Sequence, residues 1–182
     1  MAGGPKPFTI PDDHFKYVVF KDANWDFRTL NFDSDVALAD EPDKGIFNAT
    51  DPNLSEFVEH GGKLILYHGW NDALIAPQNT VDYFDSVVAV MGGTSKVGNS
   101  MRLFMAPDMN HCFGGEGPCV FDMISALEQW VEKGTAPEQI RASHLTDGKV
   151  DRTRPLCPYP QVAKYNGSGS TDDASSFGCT KE

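Results

Sequence analysis

Long apolar runs and basic residues are both scarce in this 182-residue sequence. No stretch approaches the roughly 20 consecutive apolar residues that cross a bilayer, and the opening MAGGPKP has no apolar core of a signal peptide. The chain has 15 Lys and Arg against 26 Asp and Glu, so a nucleic acid or an anionic membrane would repel it. The expected partners are therefore small neutral or aromatic molecules, bound by one globular domain that buries roughly 70% of its unfolded surface.

Cysteine is also scarce, and its spacing argues against a zinc site. The four cysteines are Cys112, Cys119, Cys157 and Cys179. An all-cysteine zinc site needs paired C-x-x-C clusters, so we expect no metal. Glycosylation sequons start at Asn48, Asn53 and Asn166. Sequons and cysteines together predict a secreted, extracellular protein whose cysteines form disulfides.

The middle of the chain, residues 54–145, alternates between the two element types. Residues 63–67 and 102–106 are short apolar runs, typical of strands buried on both faces of a parallel sheet. Residues 77–91 and 120–133 are amphipathic and end at glycine, as helices do. The predicted apolar face of the first helix is Val81, Phe84, Val87, Val88 and Met91, and that of the second is Phe121, Ile124, Leu127 and Val131. Strand, helix, strand, helix predicts a βαβ unit of an α/β fold.

The two flanking segments lack this alternation. In residues 1–53 we expect a helix beginning near residue 11 and otherwise an irregular, aspartate-rich segment. Residues 140–145 predict a last strand, and residues 146–182 a coil tail rich in Pro, Gly, Ser and Asp. A disulfide between Cys157 and Cys179 would close a loop of about 23 residues and stabilise the fold by roughly 3 kcal/mol. The alternative is two unrelated thiols in a loose tail.

Polar residues follow both predicted strands, where α/β sheets bind their ligands. The loops read HGWND, ending at Asp72, and PDMNH, ending at His111. An acid after one strand and a histidine after the next is the chain order of α/β-hydrolases, in which the serine comes earlier. The carboxylate fixes the imidazole tautomer, and the imidazole deprotonates the serine. The alternative is that Asp72 caps the next helix and His111 is an ordinary polar loop residue.

Other residues compete for both roles. Asp108 is the rival acid, although it lies on the same loop as His111. His68 is the rival base, at a strand end with no evident acid partner of its own. The remaining histidines, in less suitable surroundings, are His14, His60 and His144.

Three stretches resemble the tannase and feruloyl esterase family, which includes hydrolases of mono(2-hydroxyethyl) terephthalate. They are GGKLILYHGWND at residues 61–72, MNHCFGGEGP at 109–118 and RPLCPYPQ at 154–161. The resemblance extends from about residue 15 to the final cysteine. It implies the C-terminal part of an α/β-hydrolase fold, and a serine esterase acting on aromatic esters such as feruloyl, galloyl or hydroxyethyl terephthalate esters.

The resemblance also implies roles for individual residues. The family's acid falls on Asp72 and its base on His111. Cys112, after that histidine, corresponds to a cysteine bonded to one that precedes the nucleophilic serine, here outside the chain. The family's C-terminal disulfide falls on Cys157 and Cys179.

A nucleophile is missing from the 182 residues. No serine lies in G-x-S-x-G or follows a cysteine; Ser95 has glycines at the wrong offsets, and Ser168 and Ser170 follow the base. We therefore expect the serine on an N-terminal part of the same enzyme. The family's calcium site belongs to a lid also outside these residues, so no cofactor is expected here. The alternative is an inactive truncated fragment, or a binding module that needs a partner chain.

Three further expectations concern the surroundings of these loops. Trp70 and Phe113 flank them and are candidates for a pocket holding an aromatic acyl group, with ordinary packing as the alternative. Without its natural partner, Cys112 either stays free or pairs with Cys119. A sheet of two or three strands would also leave the edge of residues 63–67 open to another chain.

Overall fold

The structure is a computed structural model that describes residues 6–41 and 46–181. Residues 1–5 and 42–45 lie outside those ranges. They include most of the opening MAGGPKP and part of the segment predicted to be irregular. The chain divides into two units, Met1–Asp51 and Pro52–Glu182. The α-helices are α1 (Thr9–Asp13), α2 (Asp35–Asp40), α3 (Ser55–Glu59), α4 (Pro77–Val90), α5 (Thr94–Val97) and α6 (Met123–Lys133). The strands are β1 (Leu64–Gly69), β2 (Met101–Ala106), β3 (Ile140–Thr146), β4 (Lys149–Leu156), β5 (Gln161–Tyr165) and β6 (Phe177–Lys181).

The first unit is more regular than its composition predicts. Helix α1 continues into a π-helical segment, His14–Val19, and a 3-10 turn at Phe27–Thr29 precedes α2. The aromatic rings of Phe15, Phe20 and Trp25 stack with centroids 5.2 to 6.1 Å apart. Helical structure lies where a helix was expected near residue 11, and the ring cluster joins it to Trp25, in the stretch predicted to be irregular.

The second unit begins with the predicted βαβ unit. Strands β1 and β2 pair in parallel, with α4 and the short α5 between them in the chain. Helix α4 starts with Pro77, which tolerates the first turn because its missing N–H would have no helical partner there. Val81, Phe84 and Val87 of its predicted apolar face are buried, and Val88 and Met91 pack against the same core. The α/β fold class expected from the alternation is confirmed.

Strand β2 separates two apolar clusters. Successive side chains of a strand point to opposite faces, and Leu103 and Met105 join the α4 cluster, whereas Phe104 and Ala106 join a second cluster with Ile140 of β3. The outer edge of β2 is covered, since the Tyr159 N–H donates to the Leu103 carbonyl at 2.7 Å. Strand β2 is therefore the centre of this unit.

Strand β1 is less buried than predicted. It is half-buried along most of its length, and Tyr67 is 43% exposed. In the part of the chain that the structure describes, β2 is its only paired neighbour. Its apolar residues thus border an open edge, as expected for so small a sheet.

The apolar face of α6 also differs from the prediction. Trp130 is the buried residue of this helix. Met123 and Ala126 pack against the second cluster, as does Phe121 of the predicted stripe. Ile124 and Val131 of the predicted stripe are 67% and 62% exposed. Helix α6 has apolar residues on two sides, and the rest of the described unit covers only one of those sides.

The last strand predicted for residues 140–145 is confirmed as β3, whereas the tail that follows contains strands where coil was expected. Strands β3 and β4 form an antiparallel hairpin whose turn is Asp147-Gly148, both with positive φ; an Asp-Gly pair favours such a two-residue turn. Strands β5 and β6 pair antiparallel, and Cys157 and Cys179 form the expected disulfide. Backbone pairing and the disulfide therefore order a tail that has little apolar core of its own. No helix of the described ranges is long and apolar enough to span a membrane.

Candidate active site

The loops that follow β1 and β2 are joined at their base. The strands are parallel, so their carboxyl ends meet, with Gly69 opposite Ala106. The Trp70 N–H donates to the Ala106 carbonyl at 2.9 Å, and the Asn71 N–H to the Met109 carbonyl at 3.0 Å. A β-carbon on Gly69 would collide with the Met109 carbonyl oxygen. Glycine at this position therefore allows the close approach of the two loops.

The Asp72 carboxylate lies at the centre of this junction, with 2% of its side chain exposed. Its Oδ1 accepts backbone hydrogen bonds from Leu74 at 2.8 Å and from Ile75 at 2.9 Å. Its Oδ2 contacts His111 Nδ1 at 2.7 Å and His68 Nε2 at 2.9 Å. The donors to this carboxylate come from its own loop, from β1 and from the loop after β2.

These contacts decide the charge of Asp72. Burial raises the pKa of the carboxyl group, but the N–H groups of Ile75 and Leu74 and the rings of His111 and His68 lower it by more. The pKa of Asp72 therefore lies far below its ordinary value, and the side chain is a carboxylate at neutral pH. An ionised carboxylate only accepts hydrogen bonds.

His111 meets Asp72 from the other loop. Because the carboxylate has no proton to donate, His111 Nδ1 must carry the hydrogen of their 2.7 Å contact. In the neutral ring this leaves Nε2 as the basic nitrogen. The His111 side chain is 44% exposed, and Nε2 has no hydrogen-bond partner among residues 6–41 and 46–181. The arrangement can accept a proton from an incoming hydroxyl group.

His68 also contacts Asp72, and sequence reasoning missed this contact. As a rival base it was expected to lack an acid, yet its Nε2 contacts the same Asp72 oxygen as His111 does. Its Nδ1 lies 2.7 Å from the Thr80 hydroxyl. The spacing of His68 and Asp72, four residues apart at a strand end, was the available signal.

The other rivals lie elsewhere. No side-chain hydrogen bond links Asp108 to His111 in the described ranges. His60 bonds to the Glu56 carbonyl of its own helix, and His144 pairs with Asp151 in the β3–β4 hairpin. His14 makes ring contacts within the first unit.

A small cavity of about 100 Å³ adjoins Asp72 and His111. Its walls include Tyr67, Ile75 and Cys112, whereas neither Trp70 nor Phe113 lines it. Those two side chains are 44% and 73% exposed, so their contact with a substrate stays a prediction. Drug-sized ligands usually occupy pockets of about 300 to 1,000 Å³, so this cavity is too small to be a complete acyl pocket.

Cys112 and Cys119 are free thiols in this structure, Cys112 exposed and Cys119 half-buried. The local bridge between them, one of the two expected alternatives, is therefore not formed. Cys112 adopts a positive φ of 59°, which is uncommon for a residue with a β-carbon. The thiol that follows His111 is thus accessible for pairing.

Neither a nucleophile nor a metal cluster emerges from the described residues. Ser95 lies within α5, and Ser168 and Ser170 lie between β5 and β6; no serine hydroxyl in residues 6–41 and 46–181 bonds to His111. The same ranges contain no group of three or more His, Cys, Asp or Glu side chains suited to a metal ion, calcium included.

Known proteins resemble this chain over nearly its full length. A family profile described as "Tannase and feruloyl esterase" matches residues 8–180. The mono(2-hydroxyethyl) terephthalate hydrolase of Piscinibacter sakaiensis is 47% identical over 134 residues, which are 72% of this chain and 22% of that protein. A probable feruloyl esterase of Arthroderma benhamiae is 39% identical over 99% of this chain and 35% of its own length.

A solved structure agrees with these matches. The crystal structure of feruloyl esterase B from Aspergillus oryzae superposes with a TM-score of 0.85 at 31% identity, covering 96% of this chain and 38% of that one. The chain thus spans between about a fifth and two fifths of the length of these relatives.

Proposed function

This chain belongs to the tannase and feruloyl esterase family, and from that membership we propose that it supplies the acid and base of a serine carboxylic-ester hydrolase. Asp72 is the acid and His111 the base. The observation that carries the proposal is the 2.7 Å contact between the buried Asp72 carboxylate and His111 Nδ1. It fixes the ring with Nε2 as the free base.

The reaction follows from that tautomer. His111 Nε2 accepts the hydroxyl proton of a serine as the serine oxygen bonds to the ester carbonyl carbon. The tetrahedral intermediate expels the alcohol, which takes the proton from His111 and leaves an acyl-serine. Water then attacks the acyl group while His111 accepts its proton, and His111 returns that proton to the serine oxygen as the acyl–oxygen bond breaks and the carboxylic acid leaves. Asp72 stays ionised and stabilises the imidazolium at each stage.

The serine comes from outside residues 1–182 in this proposal. Three features support a missing neighbour at this site: the open edge of β1, the incomplete cavity of about 100 Å³, and the exposed Cys112 thiol beside the base. We propose that Cys112 bonds to a cysteine next to that serine and so ties the base to the nucleophile. Non-reducing mass spectrometry of the protein from its source tests this, and an unmodified Cys112 thiol there would overturn it.

The proposed substrates are esters of aromatic acids. The names of the relatives refer to feruloyl esters and to mono(2-hydroxyethyl) terephthalate, which share an aromatic acyl group. The net charge of −11 disfavours polyanionic substrates. Trp70 and Phe113, exposed beside the two loops, are the proposed contacts for the aromatic ring.

We propose an extracellular setting for this activity. The Cys157–Cys179 disulfide supports it, because disulfides persist in oxidising compartments. The three glycosylation sequons agree with such a setting.

A chimera tests the catalytic roles directly. Residues 8–180 replace the matching segment of the Aspergillus oryzae feruloyl esterase B, which retains its own remaining part. We expect the chimera to hydrolyse methyl ferulate, and His111→Ala to lower kcat by about 10⁴-fold. His144→Ala, in a second His–Asp pair, serves as the matched control and should leave kcat unchanged. A folded His111→Ala chimera with full activity would refute the assignment, and a folded but inactive parent chimera would favour a binding module.

A further inference from the structure

We infer that His68 is a positioning residue for the acid of this site, and that the Thr80 hydroxyl holds the opposite nitrogen of the His68 ring. The inference rests on the proposed role of Asp72. It adds a second imidazole and a hydroxyl group to an arrangement otherwise described by one acid and one base.

The contacts form a continuous chain across three segments. Thr80, in the first turns of α4, lies 2.7 Å from His68 Nδ1. His68, near the end of β1, contacts Asp72 Oδ2 through Nε2 at 2.9 Å. Asp72 then contacts His111, on the loop after β2, at 2.7 Å. A hydrogen-bond chain of this kind orients the group at its end, as partners of metal-bound histidines do.

Proton positions along the chain follow from the charge of Asp72. The carboxylate accepts from both rings, so His68 must carry hydrogen on Nε2, opposite to His111, which carries it on Nδ1. In a neutral His68 ring, Nδ1 is then an acceptor, and the Thr80 hydroxyl must donate to it. The two histidines therefore hold opposite tautomers on one carboxylate oxygen.

Burial distinguishes the two histidines. The His68 side chain is 12% exposed and both of its nitrogens are engaged, so it has no free nitrogen for a substrate. The His111 side chain is 44% exposed. Oδ1 of Asp72 is held by two backbone N–H groups, and His68 holds Oδ2, the oxygen that faces His111. Without His68, Oδ2 keeps a single partner and the carboxylate can rotate away from the base.

Tautomer-sensitive NMR on the ¹⁵N-labelled 182-residue chain tests the inference without a serine or a substrate. We expect long-range ¹H–¹⁵N correlations to show His68 protonated at Nε2 and His111 at Nδ1, at a pH where both rings are neutral. Thr80→Val should leave His68 protonated at Nε2 but shift the ¹⁵N resonance of its Nδ1, which loses its hydrogen-bond donor, and Thr80→Ser should restore the wild-type resonance. Protonation of neutral His68 at Nδ1, or an unchanged Nδ1 resonance in Thr80→Val, would overturn the inference.

Substitution of His68 itself gives the second readout. His68→Gln keeps an N–H donor within reach of Asp72, whereas His68→Leu does not. We expect the Nδ1 proton of His111 to exchange with water faster in the Leu variant and at the wild-type rate in the Gln variant. The control His144→Gln should leave that exchange rate unchanged. Equal exchange rates in the Leu variant and the wild type would contradict a positioning role.

Kinetics in the chimera separate this inference from the proposed function. His68→Leu should lower kcat by about 10- to 100-fold with KM unchanged, and His68→Gln should recover most of the loss. If the chimera is inactive while the tautomers are as expected, the proposed function fails and the hydrogen-bond chain stands. If the chimera is active and His68→Leu has no effect on kcat, the positioning role alone fails.

Discussion

Among the His–Asp contacts of the described residues, His111–Asp72 and His144–Asp151 have similar distances but very different settings. His111 Nδ1 lies 2.7 Å from Asp72, and His144 Nδ1 lies 2.6 Å from Asp151. In the first pair the acid is buried, with 2% of its side chain exposed, and the base is 44% exposed. In the second the base is 20% exposed and the acid 43%. The contact distance therefore does not distinguish a candidate catalytic pair from a surface pair.

The surroundings of the two carboxylates make the difference. Asp151 accepts hydrogen bonds from His144 and Thr146, both in its own hairpin, and these lower its pKa. Asp72 gathers donors from its own loop, from β1 and from the loop after β2, and its pKa is lowered much further. A catalytic acid needs a fixed carboxylate and a base with one nitrogen open to substrate, and Asp72 with His111 meets both conditions.

The largest expected effect comes from removing each acid in turn. Asp72→Asn replaces one acceptor oxygen with an NH₂ group and favours the wrong His111 tautomer, so we expect kcat of the chimera to fall by about 10⁴-fold. Asp151→Asn should change kcat by less than about twofold, because exposed pairs contribute little. Steady-state kinetics on methyl ferulate measures both. Comparable losses in the two variants would remove the distinction between the pairs.

Acid titration sharpens the comparison through stability. The folded-state pKa of Asp72 is depressed, so its contribution is fully present above the unfolded value of about 4 and is lost as pH falls below it. Urea midpoints of the chain should therefore fall from pH 5 towards pH 2, and Asp72→Asn should flatten that fall more than Asp151→Asn does. If the urea midpoints of the two variants fall equally between pH 5 and pH 2, the deeper burial of Asp72 has no consequence for stability.

The Cys157–Cys179 disulfide gives the next largest effect. Replacing Cys157 and Cys179 with serine should lower the free energy of unfolding by about 3 kcal/mol, whereas Cys112→Ser should change it by less than about 0.5 kcal/mol. Denaturant unfolding measures both. Thiol counting under denaturing, non-reducing conditions should find two reactive thiols in the parent, Cys112 and Cys119, and four would refute the bridge.

The smallest effect concerns the turn that creates the second pair. Gly148 has a φ of 75°, so Gly148→Ala should destabilise the hairpin by about 1 kcal/mol. The change should weaken the His144–Asp151 contact and leave the His111 ring signals in the NMR spectrum unaltered. Altered His111 signals would mean that the two regions are coupled.

Much of the candidate site could be predicted from sequence because strand order dictates it. Parallel strands bring their carboxyl ends together, so residues at the ends of the two loops were expected to meet, and Asp72 and His111 do. His68 was misjudged for a physical reason. Side chains four apart share one face of a continuous strand, but β1 ends at Gly69, and no local pattern specifies the path of the loop that holds Asp72. The loop after Gly69 turns back over the Met109 carbonyl and brings Asp72 under His68.

In the tail, by contrast, the prediction of coil was wrong, because strands form there. Its composition predicted coil, because Pro, Gly, Ser and Asp favour turns. The alternation of charged and uncharged residues from Arg152 to Pro155 and the Asp147-Gly148 pair were signals for a hairpin. Pairing of β5 with β6 joins residues that are far apart in the chain, such as Val162 with Thr180 and Ala163 with Cys179. No local pattern specifies such partners.

By itself the sequence determined the βαβ order, the apolar face of α4, the absence of a long apolar run and the loops on which acid and base lie. These follow from periodicity and from local propensities, which act over a few residues. Tertiary structure alone decided that β1 stays half-buried, that Trp130, outside the predicted stripe, is the buried residue of α6, and that one oxygen of Asp72 serves two histidines. Burial and shared hydrogen bonds depend on which distant segments meet, and only the folded chain brings those segments together.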